Sequence, residues 1–154
     1  VLVFNNTSVS GRKRPSLGDG VTLKISWKPE CSQALGGGPR LVRDGKVSVE
    51  MEEENFSLGR TAYLARGRHP RTAAGIDSDG EELIAVVVEG RSRKSQGLKI
   101  WELSELMIFL GARQALAFDG GRSVGLFLDG KETVRGEREI CDALGVFERR
   151  GEKE

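Results

Sequence analysis

Residues 72–90 have the sequence TAAGIDSDGEELIAVVVEG, in which two strand-like runs flank the pair Asp79-Gly80. Asp-Gly pairs beside β-rich runs are a strong local signal for a tight hairpin, because glycine accepts positive φ. The second run, LIAVVV at Leu83–Val88, is rich in residues that favour strands. The stretch therefore predicts an antiparallel hairpin.

The same signal occurs twice more along the chain. Asp44-Gly45 lies within RLVRDGKVSVE, and Asp129-Gly130 lies within SVGLFLDGKETV. We expect two further strands, one at residues 21–27 (VTLKISW) and one at residues 143–149 (ALGVFER). Most of the predicted elements are therefore strands joined by short turns.

One segment has a different period. In LKIWELSELMIFLGA, an apolar helical face is predicted by the spacing of Trp101, Leu103, Leu106, Met107 and Leu110. The helix is expected over residues 98–110, and the glycine that follows is placed to end it. The fold class predicted is α+β, a mainly antiparallel sheet with hairpins and one principal helix packed on it.

The composition is typical of a globular domain. The 154 residues are 38% hydrophobic and 31% charged, and 24 basic residues against 23 acidic ones leave a net charge of +1. A net charge this close to zero creates no strong electrostatic attraction for nucleic acid, so a nucleic-acid partner is disfavoured. The longest apolar run, LIAVVV, is far shorter than the roughly 20 residues that span a bilayer, so no membrane span is expected in this chain.

The chain starts abruptly, in a strand-like run without methionine. VLVFNNTSVSG lacks both the basic start and the long apolar stretch of a signal peptide. We expect one domain over residues 1–154 that forms the C-terminal part of a longer chain. Cys31 and Cys141 have no CxxC spacing, so a zinc site is disfavoured, and a disulfide and two buried thiols remain equally compatible with the sequence.

Glycine is concentrated in the loops at Gly36–Pro39, Gly90-Arg91 and Asp119–Gly121. None of these loops has the GxGxxG or P-loop pattern, and the chain contains neither GxSxG nor HExxH. No metal site is predicted, and these patterns leave the question of a cofactor open. Turn geometry alone accounts for each loop taken singly.

Taken together and in order, four blocks of the sequence resemble the phosphodiester glycosidase family. They are ALGGGPRLVRDGK, RHPRTAAGID, VVVEGRSRKSQGLKIWELSELMIFLGARQALAFDGG and EREICDALGVF, and they fall within residues 33–147. The resemblance implies a hydrolase of bacterial type that cleaves a sugar 1-phosphodiester or a related glycosidic linkage. It also implies a carbohydrate or glycosyl phosphate ligand and an extracytoplasmic or secreted location.

Cleavage of a sugar 1-phosphodiester requires cations for the phosphate, a group that handles protons and stabilisation of charge at the anomeric carbon. The forked guanidinium of arginine binds two phosphate oxygens at once. Arg71, in HPRTA, matches the arginine of the family, and Arg91 is a second candidate. Either arginine is also compatible with a surface charge or an ion pair.

Asp119 and Glu89 are the predicted catalytic residues. The resemblance places Asp119, at the end of a strand, in the active-site cleft, where it accepts sugar hydroxyls or acts on a proton; an Asx turn is the structural alternative. Gly120 and Gly121 would let backbone N–H groups approach a ligand. With the triple-glycine loop (Gly36, Gly37 and Gly38), Arg71, Glu89 and Asp119 are expected to converge on one pocket.

The sequence departs from the family pattern in the loop around Asp119. Ala117 replaces an asparagine, Arg122 replaces a third glycine, and Val124-Gly125 replaces small hydroxyl or alanine-type residues, while Ser123 keeps the polar character. Glu89 replaces an aspartate. Arg122 and Ser123 are included among the predicted substrate-binding residues, although Arg122 could instead fold over Asp119 and plug the site.

His69 is the only histidine, and imidazole titrates near neutral pH. Without a nearby nucleophile or ligand set, we expect it to shape the loop beside Arg71 more than to transfer protons. Three function classes remain open: a phosphodiester glycosidase, a carbohydrate- or phosphate-binding module without turnover, and a structural domain in cell-surface or exopolysaccharide biology.

Overall fold

The computed structural model describes residues 16, 18, 20, 35–54, 56, 59 and 65–147. The chain divides into two compact units, residues 1–34 and residues 35–154, and the strands and the helix given below all belong to the second unit. The predicted strand at residues 21–27 lies outside the described residues, as does Cys31.

Within the described part of the chain, seven short strands form two antiparallel sheets. Their bounds are β1 Arg40–Arg43, β2 Lys46–Val47, β3 Arg71–Ile76, β4 Leu83–Val88, β5 Gln114–Ala117, β6 Leu126–Leu128 and β7 Lys131–Val134. The larger sheet has the order β2-β1-β5-β3-β4, and β6 pairs with β7 in a separate hairpin. Together with the helix described below, these two sheets confirm the predicted α+β fold class.

All three Asp-Gly hairpins are present. They join β1 to β2, β3 to β4, and β6 to β7. Asp44 and Gly45 have φ of 52° and 72°, and Asp129 and Gly130 have φ of 51° and 73°. Positive φ at both central residues is the geometry of a two-residue turn whose twist matches that of the flanking strands. The local sequence thus determines these turns directly.

The helix, α1, spans Ile100–Phe109, within the predicted range. The Glu102 carboxylate accepts a hydrogen bond from the Lys99 backbone N–H at 2.9 Å, which satisfies a donor at the start of the helix. After the helix, Gly111 adopts φ of 96°, a conformation that favours glycine. The predicted end of the helix is therefore confirmed.

The buried face of α1 differs from the predicted one. The buried residues are Ile100, Leu103, Ser104 and Met107, whereas Trp101 and Leu110 are 41% and 44% exposed. Ser104 belongs to the buried stripe because its hydroxyl donates to the Leu41 carbonyl of β1 at 2.5 Å. A hydrophobic pattern does not anticipate a polar residue in this position.

Small side chains let α1 pack closely on one face of the sheet. The core consists of Leu41, Val42, Ala65, Ala73, Ile100, Leu103, Met107, Ala112, Ala115 and Ala117. A Cβ atom added at Gly75 would lie 2.6 Å from the Gln114 carbonyl oxygen and 2.9 Å from Met107 Cε. The alanine- and glycine-rich strands β3 and β5 therefore bring the helix close to the sheet.

The strand predicted at residues 143–149 is wrong over its described part. Residues 143–147 are irregular, and Val146 and Phe147 are 76% and 90% exposed. The apolar pattern resembles a strand, but no described strand pairs with it. Cys141, just before this segment, carries an exposed free thiol. Among the described residues, no helix is both long and apolar enough to cross a membrane.

Candidate active site

A cleft of about 590 Å³ opens at one end of the larger sheet. Antiparallel pairing brings the starts of β1 and β3 beside the ends of β5 and β4, since Arg40 pairs with Leu116 and Arg71 with Val88. Loops at these strand ends form the walls. The lining residues are Gly36, Gly37, Gly38, Pro39, Met51, Phe56, Ala65, His69, Arg71, Arg91, Ile100, Ala117, Phe118, Asp119, Gly120, Gly121, Arg122 and Arg138.

The structure brings most of the predicted site residues together. The three glycines at 36–38, both predicted arginines Arg71 and Arg91, and the Asp119–Arg122 loop all line the cleft. Glu89 does not: it is exposed directly after β4, and its backbone carbonyl accepts a hydrogen bond from the Ser95 hydroxyl at 2.6 Å. Its predicted catalytic role has no geometric support from the cleft.

Three basic side chains, His69, Arg71 and Arg91, form a cluster on one wall. His69 Nδ1 lies 3.3 Å from Arg91 Nη2. Arg71 is held by two backbone carbonyls, since Nε donates to Leu98 at 2.8 Å and Nη2 to Gly67 at 2.9 Å. Arg91 has φ of 56°, which residues other than glycine rarely adopt. Backbone carbonyls thus hold the Arg71 side chain in place, whereas the Arg91 side chain contacts the histidine itself.

Burial and mutual repulsion weaken the charged forms of this cluster. Burial, followed by the charges of Arg71 and Arg91, lowers the pKa of His69 below its ordinary value. Burial and the charge of Arg91 likewise lower the pKa of Arg71, which remains protonated at neutral pH. An anion bound here would reduce the repulsion. The wall therefore has the electrostatics of an anion site.

The carboxylate of Asp119 is bound by side chains. It accepts a hydrogen bond from the Ser123 hydroxyl at 2.7 Å and is paired with the Arg138 guanidinium. Arg138 Nε in turn donates to Ser123 Oγ at 2.5 Å. Among the described residues no backbone N–H donates to this carboxylate, so the Asx-turn alternative is not formed. Asp119 instead faces a cation and a hydroxyl.

Arg138, rather than Arg122, is the arginine that covers Asp119. Arg122 lines the cleft but pairs with Glu137, at 3.5 Å between Nε and the carboxylate and 3.4 Å between Nη2 and the backbone carbonyl. The alternative in which Arg122 plugs the site through Asp119 is therefore wrong. Both members of the Arg138–Asp119 pair are about half exposed or more, so the pair contributes little stability, about 0–1 kcal/mol.

The cleft glycines serve close packing of the backbone. A Cβ at Gly37 would lie 2.6 Å from the Ala117 carbonyl oxygen, and one at Gly120 would lie 2.8 Å from the Pro70 carbonyl oxygen. The N–H of Gly121 already donates to Pro70 at 2.9 Å, and that of Gly38 to Ala117 at 2.7 Å. The N–H groups of Gly38 and Gly121 are therefore already used within the fold.

Sequence reasoning missed Arg138 and the apolar end of the cleft. Arg138 stands in EREICDALGVF, a block with alternating charges that gives no sign of which one faces Asp119. Met51 and Phe56 contribute apolar surface to the cleft from outside the predicted motifs. Among the residues that the structure describes, no cluster of three or more His, Cys, Asp or Glu side chains could hold a metal ion.

The antiparallel sheet and this cleft define an α+β protein in which His69, Arg71 and Arg91 share a cleft with Asp119, the one carboxylate among the described residues that line it. The model of the phosphodiester glycosidase family matches residues 6–147, and the chain belongs to this family.

Two solved structures have a similar fold. A hypothetical protein from Synechocystis is 29% identical with a TM-score of 0.56, over 67% of this chain and 18% of that one. The catalytic domain of zebrafish N-acetylglucosamine-1-phosphodiester alpha-N-acetylglucosaminidase, auto-inhibited by its pro-peptide, is 22% identical with a TM-score of 0.55, over 65% and 34%. The second likeness concerns the fold alone.

A curated relative is an uncharacterised protein, YomE, derived from the SPbeta prophage of Bacillus subtilis strain 168. It is 38% identical over 64 residues, which are 42% of this chain and 10% of that protein. The chain thus spans a small part of the length of these relatives.

Proposed function

We propose that the cleft binds a sugar 1-phosphodiester and hydrolyses the bond between the anomeric carbon and the phosphate oxygen. The observation that supports this most is the placement of His69, Arg71 and Arg91 in the same cleft as Asp119. The two guanidinium groups suit the phosphate, and the carboxylate suits the sugar hydroxyls or a proton. Family membership makes this chemistry the first to test.

The cations lower the barrier by stabilising the phosphate as it leaves. As the bond from carbon to oxygen breaks, its electron pair moves onto the phosphate, and the growing negative charge is favoured beside Arg71 and Arg91. Water adds to the anomeric carbon, and the proton that water loses is taken by the Asp119 carboxylate. The products are the free sugar and a phosphate monoester.

For Asp119 to act, Arg138 must share or release its carboxylate. The exposed ion pair is easily broken, because water and ligand groups compete with it. Arg138 would then be available to contact the substrate phosphate or a sugar hydroxyl. In this scheme Arg138 positions the carboxylate in the empty cleft.

The test is incubation of the protein with the methyl phosphodiester of α-N-acetylglucosamine and with the corresponding glucose compound. These probes are chosen because the zebrafish neighbour is named for the first sugar. We expect release of free sugar and methyl phosphate from at least one of them. Tight binding without any release would instead indicate a binding module without turnover. No binding and no release would contradict the proposal.

A further inference from the structure

A second cavity of about 390 Å³ lies directly beside the cleft. Gly36, Phe118, Asp119 and Arg138 line both cavities, so the Asp119–Arg138 pair forms part of a shared wall. A molecule bound against that wall can therefore extend from one cavity into the other. Nothing in the proposed chemistry so far uses the second cavity.

The two cavities differ in character. Ala85 and Val87 of β4 line the second cavity. Side chains alternate along a strand, so these two point away from the core, against which Ile84 and Val86 pack. The second cavity therefore lies partly on the face of the sheet opposite α1. The segment at residues 139–144 forms another wall and contributes Ile140 and Leu144. The cavity is thus lined mainly by aliphatic side chains.

The charged groups of the second cavity argue against a second anion. Among the described residues that line it, the charged ones are Arg138, its partner Asp119, and the acidic Glu139 and Asp142. Carboxylates repel a phosphate, whereas aliphatic side chains gain free energy from covering an apolar group. The surface therefore suits an uncharged apolar substituent attached to a phosphate in the cleft.

We propose that the second cavity binds the alcohol portion of the substrate, and that this alcohol is apolar. This inference rests on the proposed function. The substrate class becomes a sugar joined through a phosphodiester to an alkyl or similarly apolar alcohol. Hydrolysis at the anomeric carbon leaves that alcohol as its phosphate monoester, with the phosphate in the cleft and the apolar chain in the second cavity.

The experiment compares methyl phosphate with hexyl phosphate, which mimic the phosphate product without requiring turnover. Each buried methylene strengthens binding roughly fourfold, and hexyl phosphate has five more methylenes than methyl phosphate. Burial of only two of them should already make hexyl phosphate bind more than about tenfold more tightly to the wild-type protein. Calorimetric titration measures both affinities.

A pair of matched variants locates the alkyl chain. Ala85→Glu places a carboxylate inside the second cavity, and Ala85 is exposed, so the substitution is compatible with folding. Leu83→Glu is the control, since Leu83 lies two residues earlier on the same face of β4, is 49% exposed and lies outside the second cavity. We expect Ala85→Glu to abolish the preference for hexyl phosphate and Leu83→Glu to retain it.

The possible failures are distinguishable. Equal affinities of the two phosphates in the wild-type protein would overturn the apolar subsite and leave the phosphate site intact. If the Ala85→Glu variant still prefers hexyl phosphate, the alkyl group binds elsewhere, for example against Met51 and Phe56. That result would also overturn the apolar subsite. Absence of binding by both phosphates would contradict the proposed function together with this inference.

Discussion

Replacing Asp119 by asparagine is expected to slow hydrolysis of a sugar 1-phosphodiester by about 10²- to 10⁴-fold, the usual contribution of a positioned acid or base. Asparagine has nearly the same shape as aspartate but cannot take up a proton at neutral pH. Its side-chain oxygen can still accept hydrogen bonds from Ser123 and Arg138, which surround Asp119. The loss should therefore appear in kcat, while affinity for the substrate changes much less.

The matched control is Glu89→Gln, which makes the same chemical change at the other predicted catalytic carboxylate. Glu89 is exposed and does not line the cleft, so we expect unchanged kinetics. Steady-state rates of sugar release, measured for both variants and the wild-type protein, decide the matter. A large loss in Glu89→Gln with near-normal activity in Asp119→Asn would reverse the assignment.

Replacing Arg91 by alanine is expected to weaken binding of a sugar 1-phosphate roughly 10- to 150-fold, equivalent to about 1.5–3 kcal/mol for a hydrogen bond to a charged group. Arg91 is exposed, and its described side-chain contact is with His69. Its removal should therefore leave the fold intact. Arg71 is less suitable, because it also holds the Leu98 and Gly67 carbonyls in place.

The control for this prediction is Arg93→Ala. Arg93 lies two residues away, is exposed and does not line the cleft, so its removal lowers the net charge equally without changing the site. Calorimetric titration of the two variants separates a specific contact from a general effect of charge. Equal losses in both would show that Arg91 acts only through the overall field.

The hairpins that join β1 to β2 and β6 to β7 were predictable because each depends on two adjacent residues with the required backbone geometry. Asp44-Gly45 and Asp129-Gly130 adopt positive φ at both positions, and no distant contact is needed to infer this. The buried face of α1 was not predictable in the same way. Ser104 is buried because the Leu41 carbonyl lies opposite it, which is a tertiary contact. The strand predicted at residues 143–149 was wrong for the same reason, because a strand requires a pairing partner that the local sequence does not specify.

The site was predictable to the extent that strand ends share an edge of the sheet. The order of the sequence blocks that resemble the family indicated that the loops bearing Arg71 and Asp119 belong to one site. The sheet brings both loops to one cleft. The sequence did not reveal that Arg138 reaches Asp119, because EREICDALGVF contains several charges and no periodicity that distinguishes them. Nor did it show that Gly121 uses its N–H within the fold.

The most direct test of the phosphate site is an NMR titration of the imidazole of His69, the only histidine of the chain. In the free protein its pKa should lie below the ordinary value, because burial and the charges of Arg71 and Arg91 disfavour the imidazolium. Saturation with dimethyl phosphate, which keeps one negative charge throughout the titration, should raise this pKa, so that binding strengthens as the pH falls. A pKa that dimethyl phosphate leaves unchanged at saturation would contradict an anion site in the cleft.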